Sequence, residues 1–133
     1  MSRANIAFVQ SLYAAFGRGD IATIISGLAP AVDWQVNGRR KDYPLFGSWK
    51  GSSEVEKFFK GVAQHEEATD FSPREFFGTG DRVCVLGHYA WKIRKTGRVV
   101  ASDWVHVFTL RNGKVTKFRE FNDTAQFAEA YRG

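Results

Sequence analysis

The stretch that most constrains the fold is DWVHVFTLRNGKVTKFREFND, residues 103–123. Runs of alternating apolar and polar residues flank Arg111, Asn112 and Gly113, a pattern that predicts two long antiparallel strands joined by a tight turn. The length of that turn decides which side chains meet. A three-residue loop with Gly113 as a left-handed bulge puts Trp104, His106 and Phe108 on one face with Phe118, Glu120 and Asn122. A two-residue loop of Asn112 and Gly113 would slip the pairing by one and present Lys117 and Arg119 instead. Burying two cations beside a histidine is costly without partners, whereas Phe118 belongs inside, so the three-residue loop is expected. It sets His106 and Glu120 near one another under Trp104.

Upstream, Ile6, Val9, Leu12, Tyr13 and Phe16 recur at helical spacing, and Gly17 and Gly19 supply a stop, predicting a helix over 3–16. Asp20 suits the N-cap of a short second helix carrying Ile21, Ile24, Ile25 and Leu28 and ending before Pro30. VDWQV then alternates, with Val32, Trp34 and Val36 on one face of a short strand. Residues 37–51 mix turn residues with Tyr43, Phe46 and Trp49, and so aromatic a loop is expected to act as a flap over something apolar. Ser53 with Glu56 reads as a capping box for a third helix, whose buried stripe is Val55, Phe58, Phe59 and Val62.

Residues 68–78 read as a strand that Pro73 confines to an edge or a bulge. RVCVLGHYAWKIR is a long strand with Val83, Val85, Tyr89, Trp91 and Ile93 on one side. A two-residue turn at Thr96 and Gly97 would bring Tyr89 and Trp91 onto the face of Trp104 and His106. Asp123 and Gln126 cap a final helix to about Tyr131.

Segregated helices and antiparallel strands make the fold class α+β, with three helices packed on one face of a curved sheet. The 133 residues, 44% hydrophobic and 15% aromatic, suffice for one domain with a core that needs no disulfides. The lone Cys84 is expected to be a buried, inert thiol. No segment is long and apolar enough for a membrane span, and no cleavable leader is read at the start, so a cytoplasmic protein is expected. The net charge of +5 is scattered, with Arg39-Arg40-Lys41 its one cluster, which argues against a nucleic-acid partner. Cys84, Leu86, Val105 and Val107 form an apolar back face, from which a homodimer is expected.

The inward set is Tyr13, Trp34, Tyr89, Trp91, Trp104, Phe108 and Phe118, with His106, Glu120 and Asn122 as its polar members; Tyr43 and Trp49 of the flap join them as candidate ligand contacts. An aromatic cavity with a few convergent polar groups suits a small, largely apolar ligand. A core filled by those same aromatics is the alternative. Desolvation is expected to raise the pKa of Glu120 toward neutrality and make it a proton shuttle, with His106 orienting it or polarising a ligand carbonyl. A histidine–glutamate hydrogen bond that merely fixes strand register would use the same residues. Three histidines without ligand spacing and a single cysteine give no metal site, and neither a phosphate loop nor a dinucleotide fingerprint occurs. Any reaction is therefore expected to be cofactor-independent acid–base chemistry or water addition.

The whole chain resembles the SnoaL-like polyketide cyclases and ketosteroid-isomerase-related proteins of the nuclear-transport-factor-2-like superfamily. The resemblance rests on LYAAFGRGD, VDW, GSWKG and DWVHVFTLRNGKVTKFREFND in that order. It implies a cone-shaped α+β barrel with a deep pocket, commonly dimeric. Against ketosteroid isomerase, the general-base aspartate position falls at Val36, the oxyanion-hole tyrosine at Leu12 with Tyr13 one residue away, and the protonated aspartate at His106. Polyketide cyclases match better, their pocket histidine at His106 and their acid–base aspartate at Glu120. Limonene-epoxide-hydrolase-like enzymes also place a base at Glu120, but their Arg-x-Asp is Ser102-Asp103-Trp104 here. The resemblance thus implies an isomerase or cyclase acting on a carbonyl or polyketide-like compound, with a non-enzymatic small-molecule binding protein as the alternative and epoxide hydrolysis further off.

Overall fold

The structure, a computed structural model, describes residues 2–133. Helices α1 (Ser2–Gly17) and α2 (Ile21–Ser26) lead into strand β1 (Leu28–Val36). Strand β2 (Gly47–Lys50) and helix α3 (Ser52–His65) precede the long strands β3 (Glu66–Thr79), β4 (Arg82–Ile93), β5 (Val99–Arg111) and β6 (Lys114–Phe121), and helix α4 (Thr124–Arg132) follows. One curved sheet runs in the order β2-β1-β6-β5-β4-β3. It is open, with β2 and β3 at its edges. The class is the expected α+β, except that β1 joins β6 in parallel where an all-antiparallel sheet was expected.

α1 packs on β3 and β4, while α3 packs on β1, β2 and β3. The apolar stripes read from periodicity are the ones that do the packing: Val9, Leu12, Val55 and Phe58 are buried. Asp20 and Asp123 accept from the backbone N–H of Thr23 and Gln126, as N-caps do. The capping box at Ser53 and Glu56 does not form. The helix begins two residues earlier, with Gly51 in place of Ser53 at the N-cap, and Glu54 accepts from the Lys50 backbone N–H instead.

Pro73 lies in edge strand β3, whose pairing with β4 is broken by irregularities between Ala68 and Asp70 and between Pro73 and Glu75. Extra residues there bend the sheet around the helices. The aromatic loop covers apolar ground as expected, since Tyr43, Leu45 and Phe46 are buried, but its end pairs with β1 as β2.

Both hairpin turns differ from expectation, and both preserve the expected faces. Between β5 and β6 the loop has two residues, Asn112 at φ 53° and Gly113 at φ 73°, with Arg111 paired to Lys114. The slip this should cause is cancelled further along: Leu110 pairs with Val115 but Thr109 with Lys117, so Thr116 is an extra residue. That bulge returns Phe118 opposite Phe108 and Glu120 opposite His106. Between β4 and β5 the loop is longer than the expected Thr96-Gly97 turn, for the Ile93 N–H donates to the Arg98 carbonyl and Lys92 pairs with Val99. The displacement is two residues, and a strand moved by two keeps its faces. Cys84 lies on the outer face, half-buried instead of buried, and its surroundings still push the thiol pKa up.

Candidate functional site

β5 and β6 set His106 opposite Glu120, and β1 contributes Val36 on the other side of Glu120. His106 Nε2 lies 2.8 Å from Glu120 Oε1. Tyr89, from β4, donates its hydroxyl to Oε2 at 2.9 Å, and Asn122 Nδ2 donates to the same oxygen at 2.7 Å. A carboxylate only accepts, so His106 carries a proton on Nε2, and its Nδ1 lies 2.6 Å from the Tyr13 hydroxyl. Trp104 stacks on the imidazole with 3.9 Å between ring centroids. The result is a relay, Tyr13 to His106 to Glu120, held flat under an indole.

Burial pushes the pKa of Glu120 up, but the hydrogen bonds and charge of His106, with Asn122 and Tyr89, outweigh it and hold the carboxyl below the usual range. This reverses the expected shift toward neutrality. Glu120 is an ionised base at neutral pH. Tyr13 and Tyr89 are driven the other way, first by burial and then by the charge of Glu120, so both remain donors.

These groups line a cavity of about 90 Å³ whose remaining wall is almost wholly apolar. That volume is about three waters' worth, or roughly one ring. Trp34, Trp91, Phe108 and Phe118 line it as expected, together with Tyr43. Half-buried Phe16, Phe59 and Val62, from α1 and α3, line it as well.

Two expected contacts do not reach it. Trp104 lies behind His106, and Trp49, though opposite Trp34 in the β1–β2 pair, packs beyond Phe58 with the Arg40 guanidinium 4.2 Å over its ring. Position along a strand names a face; it does not say how far along that face the cavity extends.

One polar residue in the wall was missed from the sequence. Glu66 at the start of β3 is 7% exposed and accepts the Tyr43 hydroxyl on Oε2 at 2.7 Å. The indole N–H of Trp34 and Oδ1 of Asn122 are buried without a partner among the described residues. On the outer face His88 pairs with Asp103 at 3.0 Å, and Asp33 with Lys50 at 3.1 Å. No group of three or more histidine, cysteine, aspartate or glutamate side chains among the described residues is arranged to hold a metal ion, and no helix among them is long and apolar enough to cross a membrane.

Comparison with known proteins agrees with this architecture. The model of the SnoaL-like domain matches residues 9–118. An uncharacterised protein of Mycobacterium bovis is 25% identical over 118 residues, covering 89% of this chain and 88% of its own. A nuclear-transport-factor-2-like protein of unknown function from Burkholderia pseudomallei is 32% identical, with 100% of both chains covered and a TM-score of 0.89. TerC, crystallised with polyporic acid, is also 32% identical, with 97% of this chain and 98% of that one covered and a TM-score of 0.84.

Proposed function

The chain belongs to the SnoaL-like domain family, and from that premise we propose that it binds a small, largely apolar carbonyl compound in the aromatic cavity and moves a proton on it. It would act as a cofactor-independent enzyme of the isomerase or cyclase type with Glu120 as proton acceptor. The observation that carries this reading is an enclosed carboxylate, kept ionised by three donors, on the wall of an otherwise apolar cavity.

In the step that fits, Glu120 takes a proton from a carbon next to the carbonyl. The C–H electron pair moves into the carbonyl as an enolate, and return of the proton to another atom completes an isomerisation. His106 keeps the carboxylate oriented, and the unspent Trp34 N–H is a donor available to the ligand oxygen. A carboxylate of depressed pKa is a weak base, so the carbon must be well acidified, as between a ring and a carbonyl.

In deuterated water, exchange of the methylene protons of phenylacetaldehyde, a one-ring carbonyl compound, followed by NMR, should be accelerated by the wild type. Glu120→Gln should lower that acceleration by about a hundredfold or more. Equal exchange by the two proteins would remove Glu120 from the role.

Pure binding is the second reading, favoured by the fact that both oxygens of Glu120 already hold donors. A compound that stabilises wild type and Glu120→Gln alike and is recovered unchanged would select it. Polyporic acid is the first such compound to try, because TerC was crystallised with it; the present cavity holds about one ring, so its walls would have to move. Epoxide hydrolysis finds less support, since Asp103 stands on the outer face with its side chain 89% exposed. A second copy of the chain as partner and a cytoplasmic setting complete the proposal, the latter resting on a single cysteine that has no disulfide partner.

A further inference from the structure

Glu66 has no part in the chemistry above, yet it lines the same cavity. It is the first residue of β3, paired with Ile93 at the end of β4, and only 7% exposed. Tyr43 donates to Oε2, and no side chain among the described residues hydrogen-bonds Oε1 or sets a cation against the carboxyl. A carboxyl so placed keeps its proton: burial pushes the pKa up to about 8, the Tyr43 hydrogen bond opposing and the charge of Glu120 adding to the rise. Tyr43 and Tyr89, each bonded to one of the two glutamates, both pack on Phe127, at 5.2 and 5.9 Å between centroids. The cavity wall therefore offers a ligand two unlike groups, an ionised acceptor at Glu120 and a carboxylic acid with a free donor at Glu66.

We propose that Glu66 is a second ligand-contacting residue, whose carboxylic acid donates from Oε1 to a ligand carbonyl while a hydroxyl of the same ligand donates to Glu120. The ligand class this defines is a flat, one-ring compound carrying a hydroxyl and a conjugated carbonyl, as in an enolised diketone or an acyl phenol. The inference deepens the reading given above and rests on the cavity being a binding site.

The test uses 3-hydroxybenzaldehyde as probe, with phenol as its single-oxygen control, and calorimetry near pH 6.5. Wild type should bind the aldehyde about tenfold more tightly than phenol, as one added hydrogen bond allows. Glu66→Leu should abolish that preference, Glu66→Gln, whose amide still donates, should keep part of it, and Glu120→Gln should weaken both probes alike and leave the preference standing. Phenol binding without preference for the aldehyde, or a preference that survives Glu66→Leu, overturns the role of Glu66 and leaves the cavity a binding site. Failure of both probes to bind wild type overturns the binding reading and this one with it.

A readout without ligand covers the case in which Glu66→Leu does not fold. Wild type at pH 6.5 should show the infrared C=O stretch of a protonated, buried carboxylic acid, and that band should vanish in Glu66→Gln. Absence of the band from wild type overturns the assignment.

Discussion

Two glutamates in one cavity have been pushed in opposite directions, and the difference lies in how many donors each one finds. Glu120 has His106, Tyr89 and Asn122; Glu66 has Tyr43 alone. For Glu66 the folded-state pKa is raised from 4.5 to about 8, so the native state keeps a proton that the unfolded chain releases between those values. Stability is then full below about pH 4.5 and declines as pH rises toward about 8, by an amount on the order of a few kcal/mol. Glu66→Gln should remove that decline, which urea titrations at several pH values would read; an unchanged slope would mean that Glu66 is ionised throughout. Glu120 acts with the other sign: its depressed pKa gives stability that is present above the ordinary carboxylate range and lost as acid protonates it. His106 and Glu120 were legible because alternation put both on one face of a hairpin. Glu66 was not, because it stands beside Glu67 at a helix-to-strand junction, where no periodicity says which of two adjacent acids turns inward. The direction of the Glu120 shift was also beyond the sequence, since burial can be guessed from neighbours but the count of converging donors cannot.

The strands show how a face can be read correctly from a turn read wrongly. The loop of Asn112 and Gly113 is one residue shorter than expected, and Thr116 supplies the missing residue within β6, its hydroxyl donating to the Thr109 carbonyl at 3.2 Å. Burial of Phe118 fixes the register, and the chain accommodates the odd residue wherever a bulge costs least. The same logic explains a glycine in the middle of β4. Gly87 lies opposite Trp104, and a Cβ there would overlap the indole that covers His106. Gly87→Ala should therefore destabilise the fold by about 1–3 kcal/mol, although alanine suits a strand no worse than glycine does. The double variant Gly87→Ala with Trp104→Phe should recover part of that loss, because the smaller ring leaves room, and a double-mutant cycle in urea reads the coupling. Additive losses would mean that the indole is not what excludes the methyl group. The sequence showed a glycine interrupting an apolar strand; which side chain fills the space above it required the pairing of β4 with β5.

At the scale of the molecule, the sheet has one face filled by helices and another that is only partly covered. Two rows cross that outer face along the pairing: Phe77, Cys84, Val107 and Arg119, then Glu75, Leu86, Val105 and Phe121. Phe77 is 52% and Phe121 41% exposed, and Cys84, Leu86, Val105 and Val107 are half-buried. Charge lies toward the rim, with Arg119 5.6 Å over the Phe121 ring and the His88–Asp103 pair beyond Leu86 and Val105. An apolar centre with a polar rim is the arrangement of an interface, and a self-complementary strip on a sheet is most simply covered by a second copy across a two-fold axis. A homodimer through this face is accordingly the assembly we propose. Light scattering at micromolar concentration should return twice the monomer mass for wild type and the monomer mass for Val107→Glu, which sets two carboxylates near the axis. Because side chains alternate, Val107 faces away from the cavity that His106 and Phe108 line, so the monomeric variant should still bind the cavity's ligands. A wild-type monomer would discard the dimer and leave the cavity as described, whereas a monomeric variant that loses ligand binding would show that the second copy holds the sheet in the shape the cavity needs.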